Sequence, residues 1–247
     1  MKISIITITY NSAETVEDTI RSVLSQDYPN VEYIVIDGAS TDETMAIVER
    51  YKSSIAVVLS EPDKGIYDAM NKGVERATGD VIGILNSDDF YADSTVLSDV
   101  ATLLNRTNTD ACYADLVYVD RNETSHVVRT WISGKYRKGR FLEGWMPPHP
   151  TFFVKRSVYE AFGTYSTQLR SSADYELMLR FVHKHGITVS YLPKVITRMR
   201  AGGQSNVTLR NRWKANREDR LAWKMNGLRP GLLTLIRKPL SKLLQYF

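Results

Sequence analysis

The chain lacks several features that would each define a class. Its 247 residues contain one cysteine, Cys112, which excludes an internal disulfide and a cysteine-rich zinc site and suits a reducing compartment. No segment reaches the roughly 18 apolar residues that a membrane-spanning helix needs. The opening Met1-Lys2-Ile3-Ser4-Ile5-Ile6 turns polar too soon for a signal peptide, so the expectation is a cytoplasmic protein. Two glycine-rich phosphate loops are also missing: Gly38-Ala39-Ser40 is not G-x-G-x-x-G, and G-x-x-x-x-G-K-[ST] occurs nowhere. A dinucleotide oxidoreductase and a P-loop enzyme are therefore disfavoured.

What is present is the composition of a soluble globular protein, 43% hydrophobic and 24% charged, at a length ordinary for one α/β domain. The net charge of +4 conceals an asymmetry. From Arg200 to Phe247 there are 11 Lys/Arg against Glu218 and Asp219, a balance of +9, which leaves −5 on the first 199 residues. A basic tail on an acidic body points to an anionic surface or partner for the tail.

The hydrophobic period alternates between strand and helix. Residues 3–9 and 31–36 are β-branched strands, and residues 55–59 form a third. Between them, Val16, Ile20, Val23 and Leu24, then Met45, Val48 and Tyr51, recur at helical spacing. Asn11 with Glu14, and Ser40 with Glu43, have capping-box spacing. A helix through Ala69, Met70, Gly73, Val74 and Ala77 precedes the apolar run 81–85, and another follows over about 95–105. Strands are expected at 112–119, 127–132 and 151–154, and a helix opens at Asp174. The β-α-β-α-β order implies a mostly parallel, Rossmann-like central sheet flanked by helices. Nothing marks a linker. One domain is expected over residues 1–206, with a nucleotide-binding half of about 1–110 and an acceptor-binding half of about 111–206. A helical, basic, amphipathic extension over 207–247 follows it.

The run 81–85 ends abruptly in Asn86-Ser87-Asp88-Asp89. Adjacent carboxylates at the carboxyl end of a buried strand stand where open α/β sheets bind ligands. They repel one another unless a cation binds, and Mg²⁺ or Mn²⁺ is commonly held by one or two carboxylates plus substrate phosphates. Asp37 closes residues 31–36 in the same way.

Thr9-Tyr10-Asn11, Ile36-Asp37-Gly38-Ala39-Ser40-Thr41-Asp42, Asp63-Lys64-Gly65-Ile66-Tyr67-Asp68-Ala69-Met70-Asn71, Asn86-Ser87-Asp88-Asp89, His149-Pro150-Thr151 and Ala173-Asp174-Tyr175-Glu176 occur in that order. The ordered set resembles the family 2 glycosyltransferases over residues 3 to about 205. The resemblance implies a GT-A fold and inverting transfer from a nucleotide-diphosphate sugar, with a UDP-sugar favoured. It implies a base pocket at Thr9, Tyr10 and Asp37, with Asn11, Lys64, Asp68, Asn71 and Arg200 as further donor contacts. Asp88 would approach the ribose or the metal and Asp89 would hold Mn²⁺ or Mg²⁺. Asp174 would be the general base, although a structural role at a helix start is its competitor. His149, Trp145 and Tyr175 are candidates for the acceptor side. Many relatives place a metal-binding histidine after the base; here the comparable stretch, 198–205, has arginine. Gly202-Gly203 make that stretch a candidate lid.

In the extension, Trp213 and Trp223 stand among Arg and Lys, and 232–247 mixes apolar with cationic residues. Such a segment fits the inner face of an anionic membrane, with a glycan on a polyprenyl-diphosphate carrier as acceptor. A helix packed back on the body or a homodimer contact are the alternatives, and no nucleic-acid-binding motif accompanies the charge. Two other functions compete: a non-catalytic sugar-nucleotide-binding subunit, and a nucleotidyltransferase, which would release pyrophosphate.

Overall fold

Ile3–Thr9 form strand β1 with every side chain buried, as expected of a β-branched run inside a sheet covered on both faces. The computed structural model describes residues 1–202, 209–231 and 234. In it β1 lies parallel between β2 (Val31–Asp37) and β4 (Val81–Asn86), with β3 (Val57–Ser60) beyond β2. Side chains alternate along β1. Ile3 and Ile5 enter the apolar layer under α1 (Val16–Leu24), α2 (Thr44–Arg50) and α4 (Val96–Thr107). Ile6 and Ile8 enter the opposite layer with α3 (Ile66–Arg76). Gly73 lets α3 settle closely on β1, since a Cβ there would lie 2.4 Å from Ile6 Cγ2.

The second half extends the same sheet. β6 (Ala111–Val119), β8 (Phe153–Lys155) and β9 (Val189–Arg200) follow β4, and β5 (Asp89–Tyr91) pairs with β9. The strand order is β3-β2-β1-β4-β8-β6-β9-β5, with β7 (Val127–Trp131) on β6. The sheet is mixed, and most of its paired residues lie in parallel ladders. Helices α5 (Arg156–Phe162) and α6 (Ala173–Met178) cover this half, and α6 runs on through a π-helical turn at Leu179–Lys184. The expected mostly parallel α/β architecture is thus the one observed.

Local details differ from expectation. Neither capping box forms: α1 starts at Val16 behind Thr15, and α2 starts at Thr44 behind Glu43, without side-chain caps. The side chains are used otherwise. Asn11, in the left-handed region at φ 47°, accepts the Thr41 N–H at 2.9 Å through Oδ1. The Ser40 hydroxyl turns to Asp37. Residues 198–200, expected in a loop, end β9, which is the long strand closing the second half.

The last helix, α7 (Leu209–Met225), has described side chains from Arg217 onward. Ala222 and Trp223 join the core layer with Tyr175 and Phe181, so this portion packs back on the body. Residues 203–208, which include the end of the candidate lid stretch 198–205, the Trp213 side chain, and 232–247 apart from Thr234 lie outside the described residues. Among the described residues no helix is long and apolar enough to cross a membrane.

Candidate active site

The three central parallel strands deliver their polar ends to one edge. Register pairs Thr9 with Asp37 and Ile8 with Asn86, which sets Thr9, Asp37 and Asn86-Ser87-Asp88-Asp89 side by side at the carboxyl ends of β1, β2 and β4. This is where the alternation of buried apolar residues stops and ligand chemistry can begin.

Asp88 and Asp89 are neighbours in a largely dry environment. Burial pushes both carboxyls up, and the Asp88 charge pushes Asp89 further, well above the ordinary range. Arg121 and Arg200 draw Asp88 back only in part. Asp89 is fully buried; Asn86 donates to its Oδ2 at 3.1 Å, and its Oδ1 has no hydrogen-bond partner. Two more orphaned oxygens, Asn86 Oδ1 and Thr9 Oγ1, come from the same strand ends. Buried polar atoms are ordinarily satisfied, so this concentration calls for something to satisfy it. A hard divalent cation fits an unpartnered carboxylate oxygen beside a second carboxylate. Among the described residues there is no group of three or more His, Cys, Asp or Glu that could hold a metal ion.

Asp37 is wholly buried, and its carboxylate is already engaged: Ser40 donates through its hydroxyl and its N–H, and the Ser60 hydroxyl donates at 2.6 Å. Tyr10 is 60% exposed, and its ring lies 3.3 Å from where a Gly38 Cβ would be, beside the Asp63 carboxylate. Gly38 thus keeps an open floor between Tyr10 and Asp63.

Asp174 stands in the first turn of α6. β3 leaves the sheet at the same carboxyl edge, and the loop 61–65 leads into α3, whose Tyr67 hydroxyl donates to Asp174 Oδ1 at 3.2 Å. Tyr67 stacks on Tyr165 (5.9 Å between centroids), and the Tyr165 hydroxyl bonds His149 Nε2 at 2.8 Å. Burial lowers His149 below the ordinary histidine value, with the Asp174 charge opposing. The buried His149 therefore belongs to the surroundings of Asp174.

Five further candidates have partners within the protein. Tyr175 is buried with its hydroxyl accepting from Trp223 Nε1 at 2.9 Å, so it faces α7. Asn71 spends both ends of its amide on the backbone of Tyr165, each at 2.8 Å, and is a cross-link. Asp68 accepts the Lys64 N–H at 3.0 Å within the turn that starts α3. Trp145 donates to the Ser133 carbonyl at 2.8 Å and packs among Tyr113, Tyr136 and Phe141, under the Arg140 guanidinium. Arg200 pairs with Asp18, donates to the Asp88 carbonyl at 3.0 Å and stacks over Phe90, so it braces the Asp88-Asp89 turn. Lys64 is exposed on its loop.

Tyr67, Asn86 and Ser60 were not singled out from sequence, and Ser40 was read only as half of a capping box. Asn86 and Tyr67 were detectable: each lies in a stretch that carries the family resemblance.

A parallel block with carboxylates at its strand ends, continued by a mixed second half, is the GT-A glycosyltransferase fold. The chain belongs to glycosyl transferase family 2, whose model matches residues 4–166. A PGL/p-HBAD biosynthesis glycosyltransferase of Mycobacterium bovis is 30% identical over 207 residues, covering 82% of this chain and 78% of that one. An uncharacterised glycosyltransferase of Mycobacterium tuberculosis is 34% identical over 185 residues, covering 72% and 68%. Among solved structures, S. aureus TarS 1–349 in complex with UDP-GlcNAc superposes with a TM-score of 0.71 at 20% identity, over 96% of this chain and 69% of that one. The mannosyltransferase PcManGT of Pyrobaculum calidifontis, in complex with GDP-Man and Mn²⁺, gives 0.65 at 18% identity, over 100% and 81%.

Proposed function

We propose that this glycosyltransferase transfers a sugar, with inversion, from a nucleotide-diphosphate sugar to a hydroxyl of a lipid-linked surface glycan. The observation that carries the reading is the shared edge. The unpartnered Oδ1 of Asp89 lies just past the carboxyl end of β4 beside Asp88, and Asp174 accepts from Tyr67 in the first turn of α3, which follows β3 out of the same edge. In this reading Asp174 takes the proton of the acceptor hydroxyl as its oxygen attacks the anomeric carbon. The carbon–oxygen bond to the diphosphate breaks, and the nucleoside diphosphate leaves with the electron pair. Such positioned proton transfer contributes about 10² to 10⁴ in rate. Asp88 and Asp89 would hold a divalent cation, which would supply Lewis-acid stabilisation of the departing diphosphate.

The donor class has support in the TarS and PcManGT complexes, which hold UDP-GlcNAc and GDP-Man. Uracil is the base we favour. The surface-glycan acceptor has support in the names of relatives that act in PGL/p-HBAD and teichuronic acid biosynthesis. Peripheral membrane contact has support in α7, whose outward residues Arg217, Arg220, Leu221, Lys224 and Met225 mix cationic with apolar.

The test is a thermal-shift screen of nucleoside diphosphates and their sugars with and without Mn²⁺, followed by product analysis. A ligand that binds only the folded state raises its melting temperature. Stabilisation by one diphosphate, stronger with Mn²⁺, and release of that diphosphate on transfer are expected. Pyrophosphate release would identify a nucleotidyltransferase instead, and binding without turnover would identify a non-catalytic subunit.

A further inference from the structure

We propose that Tyr67 is a positioning residue for Asp174: its hydroxyl holds Oδ1 and directs Oδ2 toward the acceptor. The inference rests on Asp174 being the base. It starts from a contact between residues 107 apart in sequence, the Tyr67 hydroxyl donating to Asp174 Oδ1 at 3.2 Å. Oδ2 has no hydrogen-bond donor among the described residues, so the two oxygens are unequal: one is tied, one is available. A carboxylate held by one oxygen loses rotational freedom at χ2, and a base must meet its proton within about 2.6–3.2 Å.

Tyr67 is itself rigid. Its ring is 8% exposed, stacks on Tyr165 at 16° between planes, and sits in the first turn of α3. Tyr165 is pinned in turn by Asn71 through its backbone and by His149 through its hydroxyl. The phenol stays protonated, because burial first and the Asp174 charge second push it well above the ordinary tyrosine value. It therefore acts as a donor throughout and takes no proton in the reaction. The ionisable groups facing Asp174 are Tyr67 from α3, His149 from the loop before β8 and Tyr165 from the loop before α6, each felt electrostatically. Glu218 and Asp219 of α7 are turned elsewhere, to the Arg170–Ser171 backbone and toward Tyr175.

Tyr67→Phe should lower kcat about 10- to 100-fold by releasing the base, with the donor KM near that of the wild type. Nucleoside diphosphate binding, followed by thermal shift, should stay unchanged. Replacing Tyr67 with 3-fluorotyrosine keeps the ring and the donor and should retain most of kcat; this variant also decides the matter if the Phe variant folds poorly, since its kcat should then stay near wild type while that of the Phe variant falls. A wild-type kcat in Tyr67→Phe, or an equal loss in both variants, would overturn the proposal. Asp174→Asn separates the two claims: an active Asp174→Asn enzyme defeats the base reading, whereas an inactive one with a wild-type kcat in Tyr67→Phe defeats only the role of Tyr67.

Discussion

The indole N–H of Trp223 donates to the hydroxyl of Tyr175 at 2.9 Å, and both residues are buried. The bond joins α7 to α6, the helix that carries Asp174. Three others reinforce it: Asn226 donates to Glu176 at 2.9 Å, and Glu218 accepts from the Arg170 and Ser171 N–H groups. A basic helix that could have lain on a surface along its whole length is therefore also a buttress. Trp223→Phe, which keeps most of the ring, should cost about 1 kcal/mol, the usual net worth of one hydrogen bond. Trp223→Ala should cost about 3–5 kcal/mol by leaving a cavity. Urea denaturation of the two variants checks the ordering. Equal, near-zero losses would mean that α7 does not bear on the body.

The Asp88-Asp89 pair makes a prediction whose sign is the reverse of the usual acid case. Both carboxyls titrate above their ordinary value because burial disfavours the charge. The folded protein then holds more protons than the unfolded one. Stability of the metal-free protein is full below the ordinary carboxylate value and declines as pH rises toward the raised folded value. Asp89→Asn should raise the melting temperature of metal-free protein at pH 8 and abolish any Mn²⁺-dependent gain from nucleoside diphosphate. In the wild type that gain should weaken as pH falls, since protons compete with the cation. A Mn²⁺ response that survives in Asp89→Asn would remove this residue from the metal site.

Glu32 gives the conventional sign. Its carboxylate, below the sheet at the opposite edge, would be raised by burial, but bonds from Lys2, Ser4 and Thr78 outweigh this and hold it at about 2. Its contribution is present above the ordinary glutamate value and is lost as pH falls toward about 2. Glu32→Gln should therefore destabilise at pH 7 by about 1–3 kcal/mol, with the difference from wild type shrinking in acid. Chemical denaturation at pH 7 and pH 3 measures both values.

Strand ends were legible in the sequence because burial there is written in β-branched runs that stop at a carboxylate. Asp37 and Asp88-Asp89 could be placed on those grounds alone. Asn71 and Asp68 could not, since an amide or carboxylate looks the same in sequence whether it meets a ligand or its own backbone. Asn71 meets Tyr165, 94 residues away. β9 was obscured by Pro193, which removes a ladder donor; the register against β6 jumps there, from Leu192 opposite Ala114 to Val195 opposite Asp115. Asp174 and Tyr67, 107 residues apart, meet only through the tertiary fold.

The outward face of α7 makes the last prediction. Its inward residues, Ala222, Trp223 and Asn226, are committed to the body, which fixes Arg217, Arg220 and Lys224 on the other side with Leu221 and Met225 among them. On the proposed reading this cationic face would lie on an anionic bilayer, where each basic residue near the surface contributes about 1 kcal/mol. Co-sedimentation with phosphatidylglycerol vesicles should therefore exceed that with neutral phosphatidylcholine vesicles, and should fall as salt screens the attraction. The triple variant Arg217→Glu, Arg220→Glu, Lys224→Glu should lose most of the binding while keeping transfer to a water-soluble acceptor, because none of the three side chains packs on α6. Binding that is indifferent to lipid charge, or unchanged in the triple variant, would show that this face of α7 does not carry the membrane contact.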